Sequence, residues 1–96
     1  VLATPALVAL MENAAMLAVA AELPEGATTV GVKMDMTHVR PSGGGEEVYA
    51  EATLVEVEGR KLTFSLVARD SVDVIGEGTH IRYIVDRTKF LSKLKG

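Results

Sequence analysis

Residues 5–21 read PALVALMENAAMLAVAA, and Glu12 and Asn13 are the only strongly polar side chains among them. A helix that is apolar nearly all round has to be buried. That requirement constrains the fold more than any other feature of the chain. A carboxylate in such a setting is costly unless a partner or a reaction uses it. Glu12 therefore either reaches a polar cleft or serves as a catalytic group whose acidity its surroundings tune. The segment is about 17 residues long, interrupted at Glu12 and Asn13 and rich in alanine, whereas a span needs roughly 20 residues, so no membrane is expected. No basic stretch precedes it, which argues against a signal peptide.

Thr4 before Pro5 predicts a helix start, with Thr4 as N-cap and proline at the first helical position. The helix is expected to run to about Glu22, where Leu23, Pro24, Glu25 and Gly26 stop it. Everything after Gly26 alternates. Thr28, Val30, Val32, Met34 and Met36 fall on one parity, which predicts a strand with one apolar face. Arg40–Gly45 is a flexible connection. Val48, Ala50, Ala52 and Leu54 mark a second strand, and Glu58–Gly59–Arg60 a tight hairpin turn. Leu62, Phe64, Leu66 and Ala68 mark a third strand, with a break at Arg69–Asp70–Ser71. A last strand is expected from about Val74 to Asp86, and a short basic amphipathic tail from Arg87 to Lys95, with Phe90, Leu91 and Leu94 on one side.

One helix without a polar face, followed by four antiparallel strands, needs a sheet curved enough to wrap it. The expected class is α+β with the hot-dog arrangement: a central apolar helix wrapped by a curved antiparallel sheet. A flatter two-layer sandwich would leave one side of the helix bare.

The 96 residues form one expected domain, with 48% apolar residues. A chain this short buries only about 60–65% of its unfolded surface, so oligomerisation would help it. The net charge of −3 argues against a general nucleic-acid binder. The absence of cysteine removes disulfides, zinc–thiolate sites and thiol nucleophiles together, and fits a cytoplasmic protein. His38 and His80 lack recognisable ligand spacing, so no metal is expected. Gly43–Gly45 and Gly76-Glu77-Gly78 are not phosphate or dinucleotide loops, because no helix follows either.

Val1-Leu2-Ala3-Thr4-Pro5 running to Met11-Glu12, then Val30-Gly31, Thr37-His38, Val57–Arg60 and Gly76–Arg82, agree in order and spacing. Together they resemble the hot-dog thioesterases related to fluoroacetyl-CoA thioesterase. The resemblance implies hydrolysis of acyl-CoA thioesters by a homodimer, with Thr4, Glu12 and His38 in the catalytic roles and Gly31 facing the acyl group. It also implies a strand and a short lid segment upstream of Val1. Asn13 departs from the fluoroacetate-specialised pattern and is carried as substrate-facing. Of the cations Lys33, Arg40, Arg69 and Arg82, which could meet the phosphates of coenzyme A, Arg82 is carried as substrate-binding. No cofactor is implied beyond the coenzyme A of the substrate.

Each residue also has a plainer account. Glu12 could reach a polar edge, Thr4 could be only a cap, His38 could be a solvated loop-edge residue, and Gly31 could be only a bulge. His80 is expected to be structural. Thr4 and Glu12 stand eight residues apart, roughly 12 Å along one helix axis, so they cannot bond directly. If both act on one thioester, the helix start of one chain faces Glu12 of another, and a twofold dimer builds two equivalent sites. Free N–H groups at the helix start would then serve the carbonyl oxygen. The function expected is hydrolysis of a short-chain acyl-CoA at a dimer-interface site. The alternative is a non-catalytic module that binds acyl-CoA.

Overall fold

The computed structural model describes residues 3–39 and 47–94. Val1, Leu2, the connection at Arg40–Gly45 and Lys95 lie outside the described residues, as do the side chains of Phe90 and Leu94. Helix α1 covers Thr4–Val19 and tightens into a 3-10 turn at Ala20–Glu22. Strands β1 (Ala27–His38), β2 (Tyr49–Glu58), β3 (Lys61–Arg69) and β4 (Val74–Asp86) follow, and helix α2 (Arg87–Leu94) closes the chain. The strands form one antiparallel sheet in the order β1-β4-β3-β2, leaving β1 and β2 as edges.

Local chemistry sets the connections. Gly26 takes a positive φ of 85° in a turn closed by the Ala27 N–H and the Pro24 carbonyl. Gly59, at φ 61°, opens the two-residue turn between Glu58 and Lys61. At the expected break, the buried Asp70 accepts the N–H groups of Val72 and Asp73 through Oδ1. The Asp86 carboxylate accepts the Lys89 N–H and so caps α2.

The core lies between α1 and the sheet. Leu7, Met11, Ala15 and Val19 form one buried stripe on the helix. Leu62, Phe64, Leu66, Ala68 and Ile75 meet it from β3 and β4. Gly76 permits the close approach: a Cβ there would lie 2.9 Å from Leu7 Cδ2 and 3.3 Å from Met11 Cε. By length and composition, Thr4–Glu22 would also pass for a membrane span, yet this stripe is packed on the sheet.

Three expectations change. The helix is not covered on all sides within one chain: Met16 is 44% and Leu17 67% exposed. A four-stranded sheet supplies only one wall. The apolar parity of β1 does not run unbroken either. The β1–β4 register slips between Gly31 and Lys33, so Val32 is an extra residue and the two faces swap there. Thr29 is buried before the bulge, Met34 and Met36 pack on the core after it, and Val32 is exposed. Thr4, finally, is not the N-cap. Ala3 holds that position without any side-chain cap.

Candidate active site

Two polar clusters stand at different places along α1. The first joins the helix start to the end of β1. Thr4 Oγ1 and His38 Nδ1 are 3.0 Å apart. With no capping bond to make, the Thr4 hydroxyl is free to serve the imidazole. His38 Nε2 is buried and has no hydrogen-bond partner among the described residues. A buried ring nitrogen of this kind is a costly feature unless something else comes to meet it. The helix start is less generous with donors than expected. Pro5 has no N–H, and the N–H groups of Ala6 and Leu7 go to the Ala3 carbonyl.

The second cluster lies where the middle of α1 crosses β1 and β4. Glu12 sits next to Met11 on the helix, at the border of the buried stripe, and its side chain is 43% exposed. It is therefore neither sealed in the core nor loose in solvent. Its Oε2 is 3.6 Å from Nη1 of Arg82, whose side chain is only 5% exposed. Charge alone would make Arg82 a surface cation; the structure puts it in the interior, under the carboxylate. The β1–β4 register explains this, because Gly31 pairs with Arg82 and leaves an open place above the guanidinium.

Arg82 is held from three sides. Nε donates to Thr29 Oγ1 and Nη2 to the Thr29 carbonyl, both at 2.8 Å. Nη1 faces His80 Nε2 at 3.2 Å. Burial pulls the Arg82 guanidinium below its ordinary value, and the Glu12 carboxylate pushes the other way. A buried guanidinium needs such a counter-charge and a full set of acceptors.

Gly31 marks the spot where these groups converge. A Cβ on it would stand 3.1 Å from both Arg82 Nη1 and Glu12 Oε2, and 3.2 Å from His80 Cε1. Only a hydrogen leaves that position open for a small group from outside. The bulge at Val32 follows directly on the space reserved at Gly31. Asn13 is exposed and lines a cavity of about 230 Å³ together with Met16, Leu17, Ala27, Thr28 and Thr29. A groove of about 310 Å³ beside Pro24, Gly26 and Arg60 lies away from both clusters. Lys33 and Arg69 are exposed and belong to neither cluster. Among the described residues, no three His, Asp or Glu side chains gather closely enough to hold a metal ion.

Sequence reasoning missed the place of His80 and Thr29 in this network. A signal was present, because Thr29 and Arg82 are polar residues within strands. The bulge at Val32 concealed that they share the inner face.

Within one chain the clusters do not merge. The structure brings Thr4 to His38, and Glu12 to Gly31 and Arg82, with about 12 Å of helix between the two.

Residues 1–88 match the fluoroacetyl-CoA-specific thioesterase family, FlK. The fluoroacetyl-CoA thioesterase of Streptantibioticus cattleyicolor is 39% identical over 95 residues, which cover 99% of this chain and 68% of that protein. A solved structure of the fluoroacetyl-CoA thioesterase FlK superposes with a TM-score of 0.93 at 39% identity, over 97% of this chain and 69% of the other. A hot-dog-like protein from Thermanaerovibrio acidaminovorans gives a TM-score of 0.91 at 26% identity, over 97% and 69%. With its helix packed on a four-stranded antiparallel sheet and a match spanning nearly its whole length, this chain belongs to the fluoroacetyl-CoA-specific thioesterase family.

Proposed function

We propose that the chain is a cytoplasmic acyl-CoA thioesterase that hydrolyses a short-chain acyl-CoA to the free acid and coenzyme A, at a site completed across a homodimer. The observation that carries this reading is the pair of separated half-sites. One holds a hydroxyl on an imidazole, Thr4 on His38; the other holds a carboxylate, Glu12, beside an open glycine. The relatives named above supply the substrate class. Solved structures of the FlK enzyme include a variant in complex with fluoroacetate and CoA.

A twofold dimer brings the helix start of one chain to Glu12 of the other. The exposed apolar face at Met16 and Leu17 supplies surface for such a contact. The acyl carbonyl then lies between the two half-sites, with its small substituent over Gly31. The Thr4 hydroxyl can donate to His38 Nδ1, so His38 can serve as its base while the hydroxyl oxygen faces the thioester. Glu12 either takes a proton from the attacking water as base, or itself attacks the thioester carbon and forms an anhydride that water then opens. The C–S bond breaks, the thiolate of coenzyme A takes up a proton, and water supplies the oxygen of the product acid. Asn13 lines the approach, and no further cofactor enters the scheme.

A thiol-release assay across acyl-CoA esters of increasing length tests this. Turnover is expected for the shortest esters and is lost in Glu12→Ala and Thr4→Ala with the fold intact. Saturable acyl-CoA binding without thiol release would instead make the chain a binding module.

A further inference from the structure

We propose that His80 is a positioning residue, which fixes the Arg82 guanidinium and through it the Glu12 carboxylate over Gly31. The inference rests on the hydrolase reading above and extends it to a residue with no place in the proposed chemistry.

Both nitrogens of His80 are taken. Nδ1 lies 2.8 Å from the Lys33 carbonyl, which can only accept, so Nδ1 carries the hydrogen and donates it. Nε2 faces Arg82 Nη1, which can only donate, so Nε2 receives. The two partners fix one tautomer and one ring orientation between them. With both nitrogens engaged, His80 has no proton to exchange with a substrate. The carbonyl it binds comes directly after the bulge at Val32, so the irregularity that follows Gly31 provides the anchor for His80.

The ring is 1% exposed and packs beside Phe64, with centroids 6.3 Å apart. An apolar side chain would fill such a place without polar atoms to satisfy. The imidazole gives what an apolar residue cannot: an acceptor for one N–H of Nη1, which leaves the other N–H directed at Glu12. Thr29 holds Nε and Nη2 but does not reach Nη1. Without His80, Glu12 is the remaining described partner of Nη1, and the carboxylate is free to be drawn down onto the guanidinium and away from the cleft.

Two substitutions separate this role from simple packing. In His80→Gln, the amide oxygen can stand where Nε2 stood and accept from Arg82, while the bond to Lys33 is lost. In His80→Asn, the amide can donate to the Lys33 carbonyl but is too short to reach Arg82. The account expects His80→Gln to keep kcat within a few-fold of the parent. His80→Asn is expected to lose roughly ten- to hundredfold in kcat at nearly constant KM, the range of one hydrogen bond to a charged group. Nitrogen-15 spectra of the arginine side chain give a readout independent of turnover. Slow rotation of the Arg82 guanidinium should persist in His80→Gln and be lost in His80→Asn. Wild-type kcat in His80→Asn, or equal losses in both variants in step with their melting temperatures, would overturn the proposal. A parent chain that releases no thiol from any acyl-CoA would overturn the hydrolase reading instead, while the arginine spectra would still judge the positioning.

Discussion

The start and the middle of α1 carry polar groups under opposite regimes. At the helix start, Thr4 and His38 form an exposed pair with a single hydrogen bond between them. Mid-helix, Glu12 rests on a buried arginine that Thr29 and His80 hold from below. The first site has few contacts and carries no buried charge pair, though His38 Nε2 stays without a partner among the described residues. The second takes a charge out of water and must satisfy it several times over. The difference teaches which groups can be removed without disturbing the fold. A side chain at the helix start can change the chemistry alone, whereas a change around Arg82 alters chemistry and stability together.

Substitutions at the two sites can break that contrast. Glu12→Gln is expected to have the largest effect, lowering kcat by about 10²–10⁴, the usual range for a positioned acid or base. It also lowers the melting temperature, since Arg82 loses its counter-charge; thiol-release kinetics beside thermal unfolding read both. Thr4→Ala should reduce turnover as well, but with the melting temperature unchanged, because Thr4 makes no cap. A loss of about 1 kcal/mol, the ordinary value of an N-cap, would show that the helix start is structural after all.

The glycines give a finer test, one from each region. Gly31→Ala puts a methyl against Glu12 and the buried Arg82 and His80, so catalytic efficiency and stability are both expected to fall. Gly76 pairs with His38 and lies under Leu7 and Met11. Gly76→Ala is therefore expected to destabilise by about 1–3 kcal/mol through overpacking, measured by denaturant unfolding.

Much of the architecture was legible in the residues. The alternation of Leu62, Phe64, Leu66 and Ala68 marks a strand whose inner face is buried throughout. The last strand runs from Val74 to Asp86 as its pattern predicts. Glu12 stood out as the carboxylate of an apolar helix, whereas Thr4 and His38 entered as candidates through the motif resemblance. What escaped was set by geometry without a local signature. The bulge at Val32 reverses which residues of β1 face inward, and that reversal buries Thr29 beside Arg82. Periodicity cannot show such a slip, because one added residue leaves the composition unchanged. Arg82 looks like a surface cation for the same reason: charge alone does not reveal a partner far back in the chain, on a helix.

The central claim is that one catalytic site takes Thr4 from one chain and Glu12 from another. Mixing inactive Thr4→Ala and Glu12→Gln chains under conditions that exchange subunits tests it directly. Each mixed dimer would carry one doubly altered site and one intact site. The account predicts recovery to about a quarter of the wild-type rate of thiol release for random pairing of equal amounts. A mixture no more active than either variant alone would contradict it.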